Sequence, residues 1–140
     1  MTGEEEGTTV TRTTIHTDAA PKAVGPCAQG VRAGDLLFVS GQVALDPVTG
    51  LLVDGGIEEQ TRRVMSNLAA ILTAGGSGLD RVVKATVYLT DLEMFEAMNR
   101  VYASFFPGDK PARVTVQVSR LPRNSLVEID AIGTVEARNG

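Results

Sequence analysis

The stretch Pro111–Ile132, PARVTVQVSRLPRNSLVEIDAI, holds two runs in which apolar and polar residues alternate. Val114, Val116 and Val118 alternate with Arg113, Thr115 and Gln117, and Val127, Ile129 and Ala131 alternate with Glu128 and Asp130. Successive side chains of a strand point to opposite faces of its sheet, so each run predicts a strand with one apolar and one polar face. Leu121-Pro122-Arg123-Asn124 reads as the turn between them. Pairing the two runs as a hairpin would bring Arg113 and Glu128 onto one side of a sheet, within reach of a common ligand.

Outward from this stretch the pattern predicts an α+β domain. Thr8–His16 is rich in β-branched residues and suggests a first strand. Asp18–Pro26 reads as a loop, Cys27–Val31 as a short extended piece, and Leu36–Gln42 as a strand. Asp46–Gly50 has the proline and glycine of a tight turn. Ile57–Ala74 carries Ile57, Val64, Leu68, Ile71 and Leu72 on one face at helical spacing, and Gly75-Gly76 ends it. Glu58–Arg62 and Glu59–Arg63 are expected as i,i+4 ion pairs on that helix. Val82–Leu89 is a further apolar strand. Thr90 and Glu93 suggest a capping box for a second helix over Leu92–Phe106, with Phe95, Met98, Tyr102, Phe105 and Phe106 as its core stripe. Met1–Gly7 is expected to be a disordered tail, with residues 8–137 forming one domain.

Two helices cover one face of such a sheet. Leu36–Val39 and Val82–Leu89 are nevertheless apolar on both sides, and an apolar second face is not left in water. The expectation is an obligate homo-oligomer.

Composition narrows the function. A chain of 140 residues with 43% hydrophobic and 21% charged residues suits one globular domain with a real core. Net charge is -4 and the basic residues are scattered, which argues against nucleic acid or an acidic membrane as partner. Cys27 and His16 are the only cysteine and histidine, so neither a disulfide nor a zinc site is expected. The apolar runs fall short of the roughly 20 residues a membrane helix needs. A cytoplasmic protein is expected.

Several segments, in order, carry a resemblance: Gly25-Pro26-Cys27-Ala28-Gln29, Phe38-Val39-Ser40-Gly41-Gln42, Glu59-Gln60-Thr61 with Asn67-Leu68, Val83–Leu89, Asn99 with Tyr102, Pro111-Ala112-Arg113, and Leu121-Pro122 before Val127-Glu128-Ile129. Together they resemble the YjgF/RidA (reactive intermediate deaminase) family from about Ala20 to Gly133. The resemblance implies a chorismate-mutase-like α+β fold with two helices on one face of a mixed sheet. It also implies a homotrimer with ligand clefts between subunits, and hydrolysis of 2-imino acids such as 2-iminobutanoate and 2-iminopropanoate to 2-oxo acids and ammonia. No metal or organic cofactor is implied.

That chemistry suits the residues. A guanidinium binds a carboxylate through two parallel charge-assisted hydrogen bonds, and Arg113 stands at the family's carboxylate-binding position. Glu128 matches the family's candidate for the base that positions the attacking water. Ser40 and Asn99 match further hydrogen-bonding positions in the pocket. Thr115 stands where many members carry cysteine or serine. Cys27 stands where many carry tyrosine, which implies a wider pocket and either a bulkier substrate or weaker activity on small imines. Three other readings stay open: a deaminase or hydrolase for a larger, aminomuconate-type acid; a non-catalytic carboxylate sensor; and the ribonuclease or translation-inhibitor activity described for some relatives, against which the acidic balance argues.

Overall fold

The computed structural model describes residues 11–136. Within them a six-stranded sheet is backed by two helices. The strands are β1 (Arg12–Ile15), β2 (Gly30–Ala33), β3 (Leu36–Gln42), β4 (Val82–Leu89), β5 (Ala112–Gln117) and β6 (Val127–Thr134); the helices are α1 (Ile57–Ala74) and α2 (Phe95–Ser104). Their order across the sheet is β1-β2-β3-β6-β4-β5, antiparallel except for the parallel β4–β5 pair. This mixed sheet with two helices agrees with the chorismate-mutase-like architecture. The tail expected over residues 1–7 and the first residues of the expected opening strand lie outside the described residues.

The predicted hairpin does not form. β4 lies between β5 and β6, pairing Ala85 with Arg113 on one side and Ala85 with Ala131 on the other. A crossover through α2 delivers β5 parallel to β4, a link that alternation within the two strands cannot reveal. The register also separates the residues that the hairpin would join. Arg113 shares a face with Ala85, Val87, Ala131 and Ile129, the face under the helices. Glu128 shares the opposite face with Tyr88 and Val116. Arg113 and Glu128 of one chain therefore lie on opposite sides of their own sheet.

The core fills the space between sheet and helices. α1 turns Val64, Leu68, Ile71 and Leu72 onto Leu37, Val39, Val87 and Ile129, all buried. Glycines close both ends of α1. At its start, Glu59 accepts from the Gly56 N–H at 2.9 Å, and at its end Gly76 takes φ +86°. Glu59 is thus engaged as a cap. Glu58 reaches Arg100 of α2 at 3.1 Å, and Arg63 donates to Asn67, so the expected i,i+4 ion pairs do not form. α2 is preceded by a single 3-10 turn over Leu92–Met94. Asp91 caps that turn by accepting from the Glu93 N–H at 2.9 Å, in place of the expected Thr90.

Among the described residues, no helix covers the other sheet face. Phe38 is 42% exposed and Val114 45% exposed, and Leu36, Val83 and Val116 add to the same apolar surface. β5 is the edge strand where this contrast is sharpest. Its valines face outward, and its polar residues Arg113 and Thr115 face the helix layer.

Candidate functional site

The open face holds one group of the expected site residues. Val39 pairs with Ala131 and Gln42 with Ile129, so Ser40 and Gly41 together oppose the single residue Asp130, a β-bulge. The bulge bends the Gly41 backbone against Glu128. A methyl group built on Gly41 would meet Glu128 Oε2 at 2.0 Å, so glycine is the residue that leaves room for the carboxylate. Glu128 is half-buried there. Burial, and then the neighbouring Asp130 charge, push its carboxyl above the ordinary glutamate value. Asp130 is itself tied to β4, accepting from the Thr86 N–H at 3.1 Å. The same pair of carboxylates, after burial, raises the phenol of Tyr88 on the adjoining strand.

A cleft of about 260 Å³ opens beside Glu128, lined among others by Cys27, Ser40, Gly41 and Glu128. Ser40 spends its hydroxyl on the Ala28 carbonyl, and its N–H donates to the Gln29 carbonyl at 2.9 Å. It therefore fastens the 25–29 loop to the bulge. Cys27 is exposed, its thiol turned back to donate to the Val24 carbonyl at 3.2 Å.

Three buried amides hold the loops around this cleft. Gln29, 3% exposed, donates to the carbonyls of Pro21 at 2.8 Å and Thr17 at 3.0 Å, and accepts from the Thr17 N–H at 2.7 Å. Gln60 on α1 accepts from the Leu126 N–H at 2.7 Å and from the Ser125 hydroxyl, fixing the approach to β6. Asn67 donates to the Leu45 carbonyl at 3.0 Å and the Val43 carbonyl at 3.3 Å, fixing the segment after β3. These are residues of the segments that carried the sequence resemblance. Their work is to satisfy backbone groups of loops that have no ladder of their own.

The helix side holds the second group. Arg113 donates through Nη1 to Asn99 Oδ1 at 2.7 Å, its guanidinium 4.8 Å from the Tyr102 ring centre and 5.6 Å from that of Phe95. A planar cation over aromatic faces, gripped at one corner by an amide, is held in orientation before any ligand arrives. Thr115 lies two residues along the same face, beside Phe95 and Glu96, with its hydroxyl buried and without a partner among the described residues.

The expected site thus divides in two. Cys27, Ser40 and Glu128 come together on the open face; Arg113, Asn99 and Thr115 come together on the helix face. Tyr102 belongs with the second group, although helical spacing placed it in the core. It is buried as expected, and its second role as a platform for Arg113 depends on α2 lying over β5, which periodicity does not encode.

The family model described as endoribonuclease L-PSP matches residues 17–135. A RutC family protein of Pyrococcus horikoshii is 52% identical over 122 residues, 87% of this chain and 97% of that protein. A mouse protein named 2-iminobutanoate/2-iminopropanoate deaminase is 45% identical over 123 residues, 88% of this chain and 91% of its own. Among solved structures, Escherichia coli TdcF with bound serine has a TM-score of 0.85 at 38% identity, covering 89% of this chain and 99% of that one. The chain belongs to the endoribonuclease L-PSP family, within which lie the YjgF/RidA proteins that its sequence resembles.

Proposed function

We propose that the protein hydrolyses 2-imino acids, of the 2-iminobutanoate and 2-iminopropanoate type, to 2-oxo acids and ammonia in clefts between the subunits of a homotrimer. The observation that carries this reading is the division of the site. A preorganised guanidinium and a half-buried carboxylate of raised pKa lie on opposite faces of one sheet, so a single chain cannot present both to one small substrate. A second copy laid against the open face, its β5 edge at the Glu128 cleft, reunites them and covers the apolar surface of Phe38, Val114 and Val116. The likeness to the mouse deaminase, and to a relative holding a small amino acid, supports the choice of ligand.

In the proposed step Arg113 of one copy holds the substrate carboxylate with two N–H groups while Asn99 and Tyr102 keep its plane fixed. Glu128 of the neighbour accepts a proton from water as the oxygen bonds to the C=N carbon. That proton passes to nitrogen to give the carbinolamine, and the hydroxyl proton follows it as the C–N bond breaks, so that nitrogen leaves as ammonia and the oxygen remains as the 2-oxo group. Ser40 and Cys27 line the cleft, and Thr115 offers a hydroxyl on the Arg113 side. An imine is already electrophilic, so positioning and electrostatics suffice without a covalent intermediate, metal or organic cofactor.

The direct test generates 2-iminobutanoate in situ and follows its capture by semicarbazide. Wild-type protein is expected to suppress semicarbazone formation and Arg113→Ala to lose that effect. Equal capture with both proteins would end the deaminase reading for this substrate.

A further inference from the structure

We propose that the cleft beside Glu128 has a cationic far wall, made by Lys22 and Arg123, that selects imino acids bearing a second carboxylate. The proposal rests on the deaminase reading and deepens it by naming the substrate class. Lys22 and Arg123 line the same cleft as Glu128, from the loop after β1 and from the turn before β6. Among the described residues they are the two cations in its lining, against the single carboxylate of Glu128. Neither cation is paired with a carboxylate among the described residues.

Arg123 is placed there at conformational expense. It and Asn124 both take left-handed backbone angles, φ 59° and 60°, which non-glycine residues seldom adopt and rarely in succession. Strain of this kind persists where surrounding structure over-determines it, and here the surroundings are visible. Arg123 Nη2 donates to the Gly50 carbonyl at 3.1 Å, and Gln60 accepts from the Ser125 hydroxyl and the Leu126 N–H. One corner of the guanidinium is thus anchored, on a residue that lines the cleft. Cys27 leaves the space between open, because its small side chain is folded back onto Val24.

A substrate with its 2-carboxylate on Arg113 of the neighbouring copy would direct its side chain away from that residue and past Glu128. A terminal carboxylate there meets Lys22 and Arg123; a short alkyl chain leaves both in water. The reaction is the same hydrolysis: water adds across C=N, the C–N bond breaks, and a 2-oxo diacid and ammonia are formed.

The test compares imines released in situ by amino-acid oxidases from L-glutamate and from L-2-aminobutyrate, with semicarbazide capture as the readout. The full-length protein is expected to act on the glutamate-derived imine with a kcat/KM at least about tenfold higher, the worth of one charge-assisted hydrogen bond. The Lys22→Ala/Arg123→Ala double variant is expected to abolish that ratio, Arg123→Lys to retain part of it, and added salt to shrink it. A wild-type ratio near one, or a ratio that the double variant leaves unmoved, overturns the cationic wall while leaving the deaminase reading intact. Inactivity of the wild type on both imines overturns both. Circular dichroism of each variant confirms that the exposed substitutions leave the fold unchanged.

Discussion

The carboxylate of Glu128 rests against the bare Cα of Gly41, in space that any side chain at that position would occupy. A bulge in β3 makes this approach by placing two residues opposite one. Gly41→Ala should displace the carboxylate without straining the backbone, since Gly41 is not among the glycines with positive φ. Imine hydrolysis is expected to fall by about 10²-fold, the scale of a misplaced catalytic group, with little change in thermal midpoint. A variant that keeps full activity would show that the position of Glu128 is not critical.

Arg113 depends on its supports. Arg113→Lys keeps the charge but loses the fork, so the substrate KM is expected to rise about tenfold or more. Asn99→Ala frees the guanidinium to swing, and its effect should appear in KM before kcat. Tyr102→Phe keeps the aromatic platform and is expected to stay near wild type, whereas Tyr102→Ala should damage both binding and stability. Steady-state kinetics on one imine separates these outcomes.

The raised pKa of Glu128 sets the acid side of the pH profile. A general base works ionised, so kcat/KM should fall as pH drops through that raised value. Burial is the larger cause and Asp130 the second, so Asp130→Asn should move the acid limb to lower pH. Stability carries the opposite sign. A carboxyl whose pKa is higher folded than unfolded favours the folded state while protonated, and this contribution is lost as pH rises through the folded value. Glu128→Gln is therefore expected to be inactive yet more heat-stable than wild type at neutral pH, with the gain vanishing below the ordinary glutamate pKa. Thermal melts across pH check the sign.

Gln29 is buried with its amide fully engaged by the Thr17–Pro21 segment. Gln29→Ala strands one N–H and two carbonyls of that segment, and a loss of about 2–4 kcal/mol is expected. Urea unfolding would measure it, and a loss below about 1 kcal/mol would mean that the loop finds other partners.

The open sheet face makes a prediction about assembly. Sedimentation should give three times the 14.7 kDa chain mass. Val116→Asp, on the exposed side of the edge strand, should dissociate the assembly and abolish activity together. An active monomer would refute a site shared between copies.

Most of the secondary structure was legible because it is written in short-range pattern. The periods of α1, β3 and β4 match their structural bounds residue for residue, since each buries a face defined within its own length. Local chemistry also marked the stops, such as Gly75-Gly76 after α1. It misled where several short-range partners compete: Asp91 rather than Thr90 caps the turn before α2, and Glu58 and Glu59 turn to Arg100 and Gly56 rather than along their own helix.

The residues of the candidate site were also named from sequence, through the segments they belong to. Their arrangement was not. Alternation states which neighbours in a strand share a face, but it carries no information about which strands adjoin. Arg113 and Glu128 looked like partners in a hairpin because only a turn separates their strands in sequence. Packing inserts β4 between them and sets the two residues on opposite faces. The chain alone thus determined that an arginine, a carboxylate and an apolar second sheet face would exist. Only the tertiary structure decided that the two charges stand back to back, because strand order is settled by long-range burial that no local period records.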